Sequence, residues 1–540
     1  MKAGEAIVTL LQDYGVRHVF GIPGTHSIEL YRGLAASSIQ HVLPRHEQGA
    51  GFMADGYARR TGQPGVCFVI TGPGVTNIST AMAQAWSDSV PLLVISPVND
   101  LVTDAGSGNN LYQGRLHEIP DQTAVTAPFT VFSRIAATTD QLADLIHQAF
   151  EAFYSGRPQP VHIHVPLTML VDTVDVETEV WQRRAVGAQT NTAPISEQQI
   201  AETAKRLQQA ERPVIVAGGG CRHFGELITA ISEKLPAPVV TSVSGRGAMP
   251  GSHPLCGGAQ LASTAAQKMI AESDLLLSVG CELSETDFWK TPQLPAQQIW
   301  INLDSNVPFN NVSSSNDSTT LIADARQLLP LISSKLADPT REGLVAAHAR
   351  AKSVRDNASD ELSPVERKHW RVLTEVIKRL PPQAVVTSDM TQLAYTACNY
   401  LPLQNTNSWF HPNGYGTLGY ALPAAIGVAL SDTDTSLLAV IGDAGFQYTM
   451  AELAVAVEQD LPIVVLLWNN DALKQIADDM VNAGIEPNAV VQRNPDFAAL
   501  VPAMGAAYKR VAGLGGLGPS LQAAFELRKP IVLELQESSV

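Results

Sequence analysis

At 540 residues the chain is too long for one hydrophobic core and suits three domains of ordinary size. A formal net charge of −16 with no basic stripe excludes nucleic acid as a partner, and no apolar run reaches the length of a membrane span. Cys67, Cys221, Cys256, Cys281 and Cys398 are scattered and form no C-x-x-C pair, so neither zinc nor a disulfide framework is indicated. The first residues, with Glu5 and Asp13 on an amphipathic helix, make no signal peptide, and the simplest location is a reduced cytoplasm.

In chain order, Val19-Phe20-Gly21 reads as a strand entering the Gly/Pro turn Ile22-Pro23-Gly24. Glu47 opens a helix rich in small residues, of the kind that packs closely on another backbone. Val66 to Ile70 is a strand, and the glycine-rich turn from Thr71 to Asn77 leads into a further helix. A strand at 160–166 is followed by a polar, aperiodic linker at 172–195. Strands at 213–220, 237–242, 274–280 and 298–304, with helical stretches between, form another α/β domain. Its glycines at 218–220 are not followed by a full G-x-G-x-x-G. A charged, partly helical break spans 337–364.

The richest segment comes last. Leu437 to Ile441 is a buried strand ending in the tight turn Gly442-Asp443-Ala444-Gly445. Tyr448 to Asp460 has helical spacing, with Leu453, Ala456 and Val457 on one face, and 462–468 is a second buried strand ending at Asn469-Asn470. Asp443 and Asn470 thus emerge together at the carboxyl edge of a parallel sheet, where open α/β sheets bind ligands. A carboxylate, an amide oxygen and a nearby backbone carbonyl suit Mg²⁺, completed by substrate phosphates. Ala444 and Gly445 are small enough for backbone N–H groups to approach a diphosphate. Taken alone, an ordinary βαβ unit with a polar turn has the same pattern.

This segment resembles the diphosphate motif of thiamine-diphosphate (ThDP) enzymes, with Ala444 where the family usually has Gly. The segments around Gly24, Glu47 and Thr71–Asn77, in that order, resemble the family's pyrimidine-binding domain. The resemblance covers essentially the whole chain. It implies an α/β fold of three doubly wound parallel-sheet domains, at 1–172 (pyrimidine-binding), 190–336 (central) and 362–540 (diphosphate-binding). It also implies that Glu47 hydrogen-bonds N1′ of the aminopyrimidine and activates the ring, and that Gly24, Thr71 and Asn77 lie at the cofactor. Leu418 matches the apolar residue that props ThDP in its bent shape, with Gly416 beside it, and Gln392 matches a diphosphate contact. Gly442, Asp443, Ala444, Gly445 and Asn470 would hold the diphosphate, and Asp443, Asn470 and the Ala472 carbonyl the Mg²⁺. Because the family's cofactor lies between subunits, a homodimer is the minimum unit and a homotetramer is expected.

Within the family, Gly245 to Leu255 resembles a segment of acetohydroxyacid synthases and their decarboxylase relatives. Those synthases hold FAD, but their Phe-Asp-Asp-Arg stretch is replaced here by the segment from Cys281 to Phe288, which counts against FAD. Arg115-Leu116-His117-Glu118, Asn469 to Leu473 and Asp478-Asp479-Met480 resemble the branch of 5-guanidino-2-oxopentanoate (2-ketoarginine) decarboxylases. The implied reaction is ThDP- and Mg²⁺-dependent decarboxylation of a 2-oxo acid to an aldehyde and CO₂. Its alternatives are acetolactate-type carboligation and a catalytically silent ThDP-fold subunit. A guanidinium tail wants a carboxylate, and Asp478, Asp479, Glu118 and Asp121 are candidates, although exposed helix ends read the same way. His117, His26 and Thr25 are the candidates for proton transfer near the reacting carbon, with a loop His bonded to backbone as the alternative for His117.

Overall fold

Leu92–Val98, Leu437–Gly442 and Ile463–Asn469 are buried at every position, the mark of parallel strands covered by helices on both faces. The computed structural model describes residues 1–100, 113–185, 194–258, 261–289, 291–307, 317–358 and 360–540. Among these, every strand pair is parallel, and the strands form three six-stranded sheets.

The first sheet comprises β1 His18–Gly21, β2 Gln40–Val42, β3 Gly65–Phe68, β4 Leu92–Val98, β5 Ser133–Ile135 and β6 Val161–Pro166, in the order β2-β1-β3-β4-β6-β5. The second comprises β7 Pro213–Ala217, β8 Val239–Thr241, β9 Cys256–Gly258, β10 Leu275–Val279, β11 Gln297–Asn302 and β12 Asp317–Ile322. Its order, β12-β11-β10-β7-β8-β9, is the doubly wound arrangement that reverses direction between β7 and β10. The third comprises β13 Val385–Ser388, β14 Trp409–Phe410, β15 Leu437–Gly442, β16 Ile463–Asn469, β17 Ala507–Arg510 and β18 Ile531–Gln536. Its order, β14-β13-β15-β16-β18-β17, repeats that of the first sheet.

The chain forms two compact units. The first is Met1–Gln189 with Tyr415–Asp434 and Tyr448–Leu461; the second is Thr190–Gly414 with Thr435–Gln447 and Pro462–Val540. In the first unit the small-residue helix Glu47–Thr61 meets the helix Ala421–Ser431 backbone to backbone. A Cβ on Gly56 would lie 2.2 Å from the Ala424 carbonyl oxygen, and one on Gly427 1.8 Å from that of Met53.

Two elements differ from their sequence reading, while the charged, partly helical break agrees with it. The residues after β15 are not a tight turn: a helix begins at Asp443 and runs to Thr449. Gly442 and Gly445 are closely packed: a Cβ on either would lie 3.0 Å from Thr391 Oγ1 or Asp389 Oδ1. Ala444 sits in helical backbone, which any residue adopts, so its departure from the family's Gly is absorbed. The helix expected over 448–460 is broken by a 3₁₀ turn at Met450–Glu452 and resumes over Leu453–Glu458. Its buried face is Leu453, Val455 and Ala456, with Val457 only half-buried. The charged break near 337–364 is mostly the helix Arg341–Ala358.

Candidate active site

In the first unit, Glu47 is the first residue of its helix, whose N-cap His46 accepts the Gln48 N–H on Nδ1 at 3.1 Å. Glu47 is buried, and its Oε2 accepts from Asn77 Nδ2 at 2.9 Å. Asn77 reaches it from the helix Pro73–Ser87, which the turn at Thr71–Gly72 launches. Gly72 has φ +68°, and a Cβ there would meet the His117 carbonyl oxygen at 2.4 Å. Thr71 is buried and its hydroxyl donates to the Pro97 carbonyl at 3.0 Å. Gly24 lies against the Ile70 side chain, whose Cδ1 a Cβ would meet at 2.6 Å, while Thr25 is exposed. The rings of His26 and His117 meet edge to face, with centroids 5.2 Å apart, and each has a buried Nδ1 with no hydrogen-bond partner. Burial, and then the neighbouring His117, hold the His26 imidazole below its ordinary pKa. His117 adopts φ +59°, a left-handed backbone uncommon for a side chain of its size.

Leu418 is half-buried, as is Gly416, which takes φ +72°. The Leu418 segment is fixed on both sides. Thr417 donates to Gln84 Oε1 at 3.0 Å, and the Tyr420 hydroxyl donates to Asp55 Oδ1 at 2.5 Å. Asp55 also accepts from Arg59 Nε at 2.6 Å, and Asp88 accepts from Arg59 Nη2 at 2.9 Å and from Gln84 at 2.7 Å. These buried charges therefore tie the Leu418 loop to the helix that carries Glu47.

In the second unit, Asp443, Asn470 and Ala472 come together at the carboxyl ends of β15 and β16, as the spacing predicts. The Asn470 amide oxygen lies 3.3 Å from Asp443 Oδ1 and 2.8 Å from the Ala472 carbonyl oxygen. Three converging oxygens repel one another unless a cation lies among them or the amide turns its N–H₂ toward the other two. Among the described residues no three His, Cys, Asp or Glu side chains group as metal ligands. One carboxylate, one amide and one carbonyl are oxygen donors of the kind Mg²⁺ takes.

Sequence reasoning missed what holds these three residues in place. Asp443 Oδ2 accepts from Asn494 Nδ2 at 2.7 Å and from Gln492 Nε2 at 3.2 Å. Asn494 also reaches Asn469 and Asp471, and Gln447 donates to Asn494 Oδ1 at 2.8 Å. The loop after β16 is pinned by the Leu473 N–H on Val490 and the Gln492 N–H on Asp471. Gln392 is buried at the start of the helix Gln392–Tyr400; its Nε2 donates to Asp478 Oδ2 at 2.8 Å, while its Oε1 has no partner.

The four carboxylates proposed for a cationic substrate are not equivalent. Asp121 caps the helix Gln122–Thr126, and accepting from Thr123 and the backbone holds its carboxyl below the usual range. Glu118 accepts the backbone N–H groups of Gln113 and Arg115. Asp478 is half-buried, shared by Gln392 and Lys474, and Asp479 is exposed beside Gln475.

Glu452 was also missed. Its carboxylate is buried, both oxygens accept the Arg45 N–H (3.1 and 3.0 Å), and Oε1 accepts the His46 N–H at 3.0 Å. A side chain at Gly49 would lie 2.1 Å from that oxygen. Burial pushes the Glu452 carboxyl up to about 7. No periodic or motif signal marks it; only its inward position at the 3₁₀ break does.

Three family descriptions match the chain: thiamine pyrophosphate enzyme, N-terminal TPP binding domain, over residues 1–125; the central domain over 200–332; and the C-terminal TPP binding domain over 389–535. A probable 2-ketoarginine decarboxylase of Pseudomonas aeruginosa is 47% identical over all of the chain and 94% of its own length. The large subunit of acetolactate synthase isozyme 1 of Escherichia coli K12 is 30% identical over 87% of the chain and 82% of its own length. The isozyme 3 large subunit of the same organism is 30% identical over 94% and 89%.

Proposed function

This chain belongs to the thiamine pyrophosphate enzymes, and from that premise we propose that it decarboxylates a 2-oxo acid, 5-guanidino-2-oxopentanoate, with ThDP and Mg²⁺. The observation that carries the reading is the full-length match to the probable 2-ketoarginine decarboxylase. The residues present fit the cofactor: the oxygens of Asp443, Asn470 and Ala472 suit Mg²⁺, and the His26 and His117 Nδ1 atoms are buried polar atoms with no partner in the protein.

When bound, ThDP supplies a thiazolium carbon nucleophile and an electron sink for the pair released with CO₂. Glu47, one oxygen of which accepts from Asn77, keeps the other for a proton shared with N1′ of the pyrimidine. Asp443, Asn470 and the Ala472 carbonyl hold the Mg²⁺, and the backbone from Gly442 to Gly445, with Gln392, holds the diphosphate. Gly24, Thr71, Gly416 and Leu418 shape the cavity around the rings. His117 and His26, with Thr25, deliver the proton that replaces CO₂ on the substrate carbon. Asp121 and Glu118 are committed to nearby backbone, and a guanidinium at Asp478 would share that carboxylate with Lys474 and Gln392.

We further propose a homodimer at minimum, a homotetramer in full, a cytoplasmic location, domains at 1–172, 190–336 and 362–540, and a central domain in which FAD is disfavoured. The central segment from Cys281 to Phe288, which lacks the synthase stretch, supports the last point. Acetolactate-type carboligation is the second reading, favoured by the relatives at 30% identity.

The test is CO₂ release with ThDP and Mg²⁺, offering 5-guanidino-2-oxopentanoate and pyruvate in parallel and identifying the products. Aldehyde from the guanidino acid with little turnover of pyruvate supports the proposal. Acetolactate from pyruvate overturns it in favour of carboligation.

A further inference from the structure

Behind the Thr71–Gly72 turn lies a buried polar network that no step above uses. Gln122, the first residue of the short helix after the His117 turn, is buried, and its Oε1 accepts the Gly72 N–H at 3.0 Å. Its Nε2 reaches the Pro97 carbonyl at 2.8 Å, His164 Nδ1 at 3.0 Å and Ser96 Oγ at 3.1 Å. His162 and His164, neighbours on one face of β6, are fully buried with ring centroids 3.8 Å apart.

A consistent proton arrangement satisfies the network with both rings neutral. Gln122 donates to His164 Nδ1, so His164 carries its proton on Nε2 and donates to Ser133 Oγ at 2.8 Å; Ser133 in turn donates to the Thr123 carbonyl at 3.0 Å. Ser96 donates to His162 Nε2 at 2.8 Å, and His162 donates from Nδ1 to Thr126 Oγ1 at 2.9 Å. Each ring must accept on one nitrogen, so both are neutral; burial agrees, holding His164 down to about 3. Such a fully connected network fixes one geometry, whereas a broken one leaves buried groups unpaired.

The network meets the site at two points. Gly72 lies against the His117 carbonyl, too close for a Cβ between them, and the Thr71 hydroxyl shares the Pro97 carbonyl with Gln122. Asn99 Nδ2 adds a bond to the Leu116 carbonyl at 3.1 Å. We infer that Gln122, braced by the His162–His164 pair, is a positioning residue that holds the Thr71–Gly72 turn against the His117 turn and so sets cofactor and proton donor in register. This rests on the ThDP reading of the same site.

The experiment measures ThDP affinity by calorimetry in the presence of Mg²⁺, alongside kcat and KM, in the full-length protein. Gln122→Leu is expected to weaken ThDP binding roughly tenfold and lower kcat roughly 10- to 100-fold, as a small displacement of reacting groups does. His164→Leu should follow it, while His164→Gln, which offers an acceptor and a donor, should restore both quantities to within roughly threefold of wild type. Tyr14→Phe removes a buried hydroxyl bonded to His147 at 2.6 Å elsewhere in the same unit. It should lower stability and leave affinity and kcat unchanged. Wild-type affinity and kcat in Gln122→Leu overturn the inference, and so does an equal loss in His164→Leu and His164→Gln, which decides the matter should Gln122→Leu not fold. Wild-type protein that neither binds ThDP nor releases CO₂ overturns the functional reading instead.

Discussion

Glu452→Gln tests how this fold carries a buried acid. The carboxyl is held at about 7 against an ordinary value of 4.5, chiefly by burial and despite the backbone N–H groups of Arg45 and His46. Because the folded-state value is raised, the folded protein keeps this proton longer than the unfolded chain. The group's contribution is full below pH 4.5 and is lost progressively as pH rises to about 7. At about 1.4 kcal/mol per unit, the gap corresponds to roughly 3 kcal/mol across that window. Gln is neutral throughout and removes this dependence, whatever its own fit beside the two N–H groups. Urea denaturation of the full chain at pH 5 and pH 8, in wild type and variant, isolates the effect as a difference of differences. Wild type should lose roughly 2–3 kcal/mol more than the variant on going from pH 5 to pH 8. Identical pH slopes in the two proteins would refute the reasoning and place the Glu452 carboxylate in an environment far more polar than its burial suggests.

Glu47→Gln should lower CO₂ release by roughly 10²- to 10⁴-fold, the range for loss of a positioned acid–base group; unchanged turnover would remove Glu47 from the mechanism. Asn494→Ala strips a donor from Asp443 and should raise the Mg²⁺ concentration for half-maximal activity roughly 10- to 100-fold, read from Mg²⁺ titrations. Arg59→Met leaves Asp55 and Asp88 buried without their cation and should cost about 3–5 kcal/mol in denaturant titrations. Asp478→Asn should raise KM for the guanidino acid roughly tenfold or more, with little change for pyruvate.

Much of this was legible in the sequence because parallel strands covered on both sides leave unbroken apolar runs. The strands before Asp443 and Asn470 lie within a residue or two of where those runs place them. The position of the helix start was misread because glycine is ambiguous: Gly442 and Gly445 look like turn residues but serve close packing against Thr391 and Asp389. Asn494, Glu452 and Gln122 were illegible for a different reason. Each acts through a hydrogen bond to a residue far away in the chain, and nothing in the local period of an Asn, Glu or Gln reports which way its side chain turns. Asp121 is the opposite case: a lone Asp before a short helix is most simply a cap, and a cap it is.

The first compact unit is not contiguous along the chain. The helix Glu47–Thr61 waits for Ala421–Ser431, and the Arg45–His46 amides wait for Glu452, while residues 190–414 of the other unit are made in between. At about 5–20 residues per second of synthesis, that interval is some tens of seconds. During it the face of Glu47–Thr61 that carries Met53, Gly56 and Tyr57 lacks the helix that covers it in the finished protein. A fragment ending near residue 189 would carry the same uncovered face permanently, so truncation at that seam should yield an aggregating product rather than a free-standing domain.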